Sequence, residues 1–500
     1  MRICSIIAIV HSTLASYLDD FLLRGDDTAF VHKRALRTAR WSYGLVARTS
    51  YRFARELEAR SVDRGDRVLI WADSSPEWVA VFFGCLVRGA IAVPLDVQSE
   101  PDFVARVARQ VEAKLAVLDR AARGKVPPEI PAIELEELIS ILSCRAAEPP
   151  SIVEASADDT AEIVFTSGTT AEPKGVCITH RNLLANLDPL EREIARYRKY
   201  ERFVHPLRFL NLLPLSHIFG QLMGVFVPQL LGGEVFFQSS LNPSHTIDTV
   251  KRERISVIVA VPRVLDTLRA KIERYYEERG ELERFHRTFA AARGRHPLRR
   301  WWDFRRIHAM FGWKSWAFIS GGAPLDPETE EFWDRLGFAV IQGYGMTETA
   351  SLVSVNHPFK LVRGSIGAVM PGQEVRLADD GEILVRGENV TAGYWGGAGA
   401  AGAAGVGAEG AGAESAGTAG AAGDGWFRTG DMGEMDGNGN LRFKGRKRDV
   451  IVTSAGMKVY PEDVERALDR QPEVKASAVV TAAGPDGSEP LAVLVMRDPR

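Results

Sequence analysis

Short apolar runs alternate with longer stretches of helical periodicity through much of this chain. Arg67–Trp71 (Arg-Val-Leu-Ile-Trp) predicts a strand, and Ser75–Arg88 a helix whose apolar face carries Trp78, Val81, Phe82 and Leu86. Ala90–Leu95 predicts the next strand, and the alternation returns at Phe209–Leu213, Val257–Val261 and Trp316–Ile319. Strands separated by helices imply parallel sheets covered on their faces, an α/β architecture. The stretch Ile218–Phe237 is long enough to cross a bilayer, but Gln221, Pro228, Gln229 and Glu234 interrupt it. It reads as a buried helix and strand.

Three segments depart from that alternation. Residues 396–423 contain 11 glycines and 12 alanines in 28 positions, with only Val406, Glu409, Glu414, Ser415 and Thr418 besides. Nothing there offsets the entropy of ordering, so a flexible, disordered insert is expected. Residues 281–314 set nine cations against three acids, interleaved with Phe285, Phe289, Trp301, Trp302, Phe304 and Phe311. A helix whose aromatics pack on the domain is the expectation, and a peripheral contact with an anionic membrane surface is the alternative. Near the end, Val479–Thr481 and Leu491–Val495 predict two strands, the last in want of a partner.

Composition narrows the function classes. Five hundred residues exceed what one core organises, so two or more domains are expected. The net charge of −3 provides no field for nucleic acid. Cys4, Cys85, Cys144 and Cys177 stand far apart, which argues against zinc and against a disulfide scaffold and suits a reducing cytoplasm. The apolar run Cys4–Val10 is followed at once by His11 and Ser12, so a signal peptide is not expected.

The most informative stretch is Ile163–Val176. Ile163, Val164 and Phe165 predict a buried strand that breaks into a hydroxyl- and glycine-rich loop, closed by Pro173 and Lys174. Thr166, Ser167, Thr169 and Thr170 supply hydroxyl donors, Gly168 lets the backbone approach an anion, and Lys174 adds a mobile positive charge. A polyphosphate is the natural guest, and a polar surface turn that binds nothing is the alternative. A nucleotide-binding P-loop is excluded, because here the lysine precedes its glycine and no Ser/Thr follows.

Four further turns supply what a nucleotide requires. Ser320–Leu325 (Ser-Gly-Gly-Ala-Pro-Leu) leaves room for a flat ring. Gln342–Glu348 (Gln-Gly-Tyr-Gly-Met-Thr-Glu) follows the strand Phe338–Ile341; Tyr344 offers a stacking face, Gly343 and Gly345 allow close approach, and Thr347-Glu348 set a hydroxyl beside a carboxylate apt for Mg²⁺. Gly425–Asp431 places an acid after a tight turn, suited to a ribose diol, and Gly445–Asp449 is strongly basic before the strand Val450–Val452.

Together these segments resemble the adenylate-forming superfamily of acyl-CoA synthetases, adenylation domains and luciferases, from about residue 12 to the C-terminus. Gln342–Glu348 and Asp449–Pro461 are most similar to bacterial long-chain fatty-acid–CoA ligases. The resemblance implies a large N-terminal adenylation domain of several subdomains over residues 1–447, with parallel and mixed sheets covered by helices. A small α+β domain, incomplete here, would begin at 448–500 after a hinge at Arg448, where the family usually carries Asp or Lys. Thr166 to Lys174 would grip the β- and γ-phosphates. Gly322, Ala323 and Pro324 would border the adenine, with Tyr344 stacked on it. Thr347 would contact the α-phosphate, Glu348 would ligate Mg²⁺, and Asp431, assisted by Arg446, would hold the ribose. His217 would stand beside an acyl channel walled by Phe219, Met223 and residues near Gly322 and Gly345; taken without the family, it reads as a hydrogen-bonded core histidine. Ser454, Ala455 and Gly456 would line the tunnel of the thiol.

The implied chemistry is attack of a carboxylate on the α-phosphorus of ATP, expulsion of pyrophosphate, and transfer of the acyl group to a thiol, that of CoA. The family's C-terminal lysine, in a Pro-x-x-x-x-Gly-Lys-type segment, is not found among the 52 residues after Arg448. The expectation is a fragment that binds ATP and forms acyl-adenylate slowly. The leading reading is a fatty-acid–CoA ligase. The alternatives are a fatty-acyl-AMP ligase that loads a carrier protein and a nucleotide-binding protein with impaired catalysis. An amino-acid-activating domain is disfavoured, since no acid for an α-amino group lies in Phe219–Met223. The expected location is the cytoplasm, with the inner membrane face as a site of peripheral contact.

Overall fold

The uninterrupted apolar spelling of the early strands leads to sheets covered on both faces. The computed structural model describes residues 11–34, 37–149, 155–166, 173–201, 205–396, 425–452, 458–469, 471, 473–484 and 487–496. In a six-stranded sheet, Arg67–Trp71 lies between Leu115–Leu118 and Ile91–Leu95, all parallel. Beyond Ile91–Leu95 come β1 (Thr160–Thr166) and, antiparallel to it at the edge, β2 (Lys174–Thr179). The helix Pro76–Arg88 is buried over most of its length. Ser75 caps it by accepting from the Trp78 N–H, Pro76 sets its first turn, and Gly89 ends it at φ +73°. The predicted helix and its strands thus form within a residue or two of the expected bounds.

A thirteen-stranded mixed sheet makes up the second layer. Its parallel part includes Arg208–Asn211, Val257–Ala260, β3 (Ala317–Ser320) and β4 (Ala339–Tyr344). After β4 the pairing turns antiparallel and ends in a flank that includes β5 (Phe427–Met435) and β6 (Asn440–Arg446). Residues 218–237 form helical turns from Ile218 to Leu230, with a π-helical stretch at Leu222–Phe226, and the buried strand Glu234–Phe237. Among the described residues no helix is long and apolar enough to cross a membrane.

The basic segment folds as α1 (Leu282–Ala291), α2 (Pro297–Asp303) and α3 (Arg305–Phe311). Its phenylalanines meet the packing expectation, with Phe285, Phe304 and Phe311 buried; its tryptophans do not. The smaller C-terminal part has the short pair Ile451–Val452 and Lys458–Val459, the helix Pro461–Asp469, and an antiparallel hairpin of Val474–Gly484 with Gly487–Met496. The apolar final strand therefore finds its partner in the strand before it, with Val480 opposite Leu491. Positions 397–423 of the Gly/Ala-rich insert lie outside the described residues.

Candidate active site

The phosphate-binding candidates are brought together by one pairing. Thr166 ends β1 opposite Lys174, which begins β2, so both ends of the hydroxyl-rich loop are held at one point of the sheet edge. Ser167, Gly168, Thr169 and Thr170 lie outside the described residues. The Lys174 ammonium stands 5.9 Å from the ring centroid of Tyr394, and the Tyr394 hydroxyl donates to Glu348 Oε1 at 2.9 Å. Main-chain bonds fix this bridge. The Trp395 N–H donates to Gly175 O at 2.7 Å, the Cys177 N–H to Gly393 O at 3.1 Å, and the Thr391 N–H to Glu348 O at 2.9 Å. Tyr394 was not marked by any motif or spacing; its one signal was an aromatic pair set just before a featureless insert.

Thr347 and Glu348, both half-buried, form a 3₁₀ turn that leaves through two non-glycine residues at positive φ, Ala350 at +46° and Ser351 at +89°. That conformation costs of order 1–3 kcal/mol per residue and persists only where its surroundings impose it. Buried amides do so here. Asn186 Nδ2 donates to Ala350 O at 2.6 Å, and Asn389 Nδ2 donates to Thr349 O and Leu352 O, each at 3.2 Å. A β-carbon at Gly345 would lie 2.0 Å from Ser351 O, so this glycine admits the protein's own backbone. Glu348 Oε1 is taken by Tyr394, and its second oxygen suits a cation that needs few protein ligands. Among the described residues no group of three His, Cys, Asp or Glu side chains could hold a metal by itself.

The nucleoside candidates converge on Asp431. It lies opposite Arg446 in the β5–β6 pairing, with Arg446 Nε 3.5 Å from Asp431 Oδ1. The Tyr344 hydroxyl donates to Oδ2 at 2.9 Å. Burial pushes the Asp431 carboxyl above its ordinary value, against the opposing pull of Arg446 and Tyr344. Oδ1 is buried and lacks a hydrogen bond, the condition of an acceptor awaiting a donor. The Tyr344 ring packs with Val353, Ile383, Val385 and Leu441 and is only 9% exposed.

Ser320 and Gln342 are in register at the C-terminal ends of β3 and β4, which sets the two small-residue turns side by side. Gly322, at φ +81°, Ala323 and Pro324 are exposed, and a β-carbon on Gly322 would meet nothing within 4 Å. Close approach is demanded one residue earlier: a β-carbon on Gly321 would lie 2.8 Å from the Phe219 ring and 3.2 Å from Gly343 O. Phe219 is therefore packed against this turn, whereas Met223 is buried in the main core.

His217 is no core histidine. Its side chain is 60% exposed, with Nε2 3.6 Å from Asp96 Oδ2. The His217 ring and the Gln98 N–H, against some burial, hold the Asp96 carboxyl below the usual range. One helical turn further on, Gln221 Nε2 donates to Glu162 Oε2 at 2.8 Å. Glu162 is fully buried on β1, and burial pushes its carboxyl up to about 8. Neither Asp96 nor Glu162 carries a sequence signal, because each acquires its partner only through the fold. Gly456, with Ser454 and Ala455, lies outside the described residues.

Among relatives, the chain is 29% identical over 472 residues to a long-chain-fatty-acid–CoA ligase of Mycobacterium bovis, covering 85% of this chain and 72% of the relative. It is also 29% identical over 471 residues to a feruloyl-CoA synthase of an Amycolatopsis species, covering 90% and 82%. An o-succinylbenzoate–CoA synthetase of Bacillus subtilis, solved with its acyl-adenylate intermediate, has the same fold, with TM-score 0.73 and 24% identity over 97% of this chain and 89% of that one. ATP-bound MatB of Rhodopseudomonas palustris gives TM-score 0.74 at 24% identity over 98% and 89%. A family model described as AMP-binding enzyme matches residues 23–395, and the chain belongs to that family.

Proposed function

We propose that this protein is an ATP-dependent acid–thiol ligase that activates a carboxylic acid, a medium- or long-chain fatty acid, as its adenylate and passes the acyl group to CoA. The observation that carries the reading is the convergence of separated segments. The Lys174–Tyr394–Glu348 bridge and the Tyr344–Asp431–Arg446 group both join the turn that contains Tyr344 and Glu348. A nucleotide laid along that turn would have its ribose at Asp431 and its phosphates toward Lys174.

In the first step the acid's carboxylate attacks the α-phosphorus, a P–O bond forms, and the bond to pyrophosphate breaks. Two anions must meet, so the protein's task is to position them and neutralise charge. Lys174 would stabilise the departing pyrophosphate, with the Thr166 and Thr347 hydroxyls oriented toward phosphate oxygens. Glu348 would hold Mg²⁺, which would add positive charge at the leaving group. In the second step a thiolate attacks the acyl carbon and AMP leaves. Residues 1–447 would form the adenylation domain, and a hinge at Arg448 would reposition the remainder between steps.

A fatty acid is supported by the apolar Phe219 ring, packed against the Gly321 turn and against the main core. The feruloyl-CoA synthase relative supports a second reading, an aryl acid, at the same level of identity. Hydroxamate trapping with short-, medium- and long-chain fatty acids and aryl acids separates them. Strongest trapping with medium or long chains is expected. Exclusive use of aryl acids would replace the substrate class, and no trapping with any acid would end the proposal.

A further inference from the structure

The tryptophan-rich part of the basic segment takes no part in the site above. The spelling Pro-Leu-Arg-Arg-Trp-Trp-Asp places Leu298, Trp301 and Trp302 three and four residues apart, on one face of α2. Such a face ordinarily packs inward. Here it looks out: Leu298 is 73% exposed, Trp302 63% and Trp301 39%. Trp313, also exposed, extends the face with its ring centroid 4.6 Å from that of Trp301.

Cations border this patch. Arg299 is exposed and makes no ion pair with a described residue, and the exposed Arg305 guanidinium lies 5.3 Å from the Trp302 ring centroid. The nearby acids are already occupied. Arg295 binds Asp303 at 2.7 Å and Arg306 binds Glu281 at 2.6 Å. The nine cations of the segment exceed its three acids by six, and with Arg300 paired to Asp334 from outside it a positive excess still accompanies the apolar face.

We propose that the α2 face docks on an anionic lipid bilayer. Indoles settle at the headgroup level, where the ring is buried and the N–H stays wet, and arginines beside them meet anionic headgroups. An exposed aliphatic Leu298 between them favours lipid over single-stranded RNA, which stacks on aromatics and gains nothing from an aliphatic side chain. The patch sits at the start of the parallel strands. The Trp301 amide nitrogen lies 4.0 Å from where a β-carbon on Gly337 would stand, just ahead of β4, whereas the nucleotide turns follow the strands' C-terminal ends. Docking there leaves those turns facing water.

Sedimentation of the full chain with vesicles tests this without turnover, so its outcome is separate from that of the ligase reading. The protein should pellet with phosphatidylcholine–phosphatidylglycerol vesicles, not with phosphatidylcholine alone, and added salt should release it. Leu298→Ser with Trp302→Ser should lower the partition coefficient roughly tenfold or more. Arg299→Gln with Arg305→Gln should lower it roughly 25-fold. Both pairs should keep the wild-type melting temperature, as their side chains are exposed. Unchanged pelleting by either pair would overturn the proposal. So would equal binding to neutral vesicles, or retention by single-stranded RNA and not by vesicles.

Discussion

Asp431→Asn and Asp431→Ala probe the nucleoside half of the site in graded fashion. The wild-type carboxyl accepts from Tyr344 at Oδ2 and presents Oδ1 buried and without a hydrogen bond. A hydrogen bond to a charged acceptor contributes about 1.5–3 kcal/mol, and one to a neutral acceptor about 0.5–1.5 kcal/mol. Asparagine keeps an acceptor and loses the charge, so ATP affinity should fall by about 1 kcal/mol, roughly fivefold. Alanine removes the acceptor, and the fall should reach about 2–3 kcal/mol, roughly 30- to 150-fold. Asparagine keeps an acceptor for the buried Tyr344 hydroxyl, whereas alanine leaves that hydroxyl and Arg446 without Asp431, so the melting temperature of each variant is compared with that of the wild type alongside the titration. Calorimetric titration with ATP and with 2′,3′-dideoxy-ATP completes the cycle. The wild type should prefer ATP by about the factor that Asp431→Ala loses, and the alanine variant should show almost no preference. An equal preference for ATP in both proteins would show that Asp431 does not touch the ribose.

Lys174→Ala should slow ATP-dependent pyrophosphate release roughly 100- to 1,000-fold while leaving the affinity for preformed acyl-AMP unchanged, since acyl-AMP carries no β- or γ-phosphate; equal loss of both would refute the phosphate role. Glu162, raised from 4.5 to about 8 by burial, binds a proton in the folded chain that the unfolded chain gives up across that interval. Its contribution is therefore lost as pH rises from about 4.5 to about 8, with a slope of up to about 1.4 kcal/mol per pH unit, and Glu162→Gln should flatten that slope in urea midpoints. Parallel pH profiles for the two proteins would contradict it. Gly345→Ala would drive a β-carbon to 2.0 Å from Ser351 O, so the urea midpoint should drop by the equivalent of about 1–3 kcal/mol or more. An unchanged midpoint would mean that the Ala350–Ser351 turn is soft.

Local pattern alone was enough to read several elements. Arg67–Trp71, the capped helix Pro76–Arg88 and the strand at Ile163–Phe165 are written in runs of adjacent residues, and burial of an apolar face needs no distant information to be anticipated. The glycine- and hydroxyl-rich turns were legible for the same reason, as special backbone needs restrict the residues that can meet them. The long apolar stretch at 218–237 could also be told from a membrane span by its interruptions.

Tertiary structure decided what pairs across distance. Tyr394 reaches Glu348 from 46 positions away, and Tyr344 reaches Asp431 from 87. Gln221 meets Glu162 across 59. No spacing encodes such pairs, because each depends on how the fold brings separate strands, turns and helices together. The same holds for burial within one segment: Phe304 and Trp302 are two residues apart and equally apolar in sequence, yet one is in the core and the other faces water. A helix surface can pack on one side only, and which side is set by the neighbouring elements rather than by the composition of the helix.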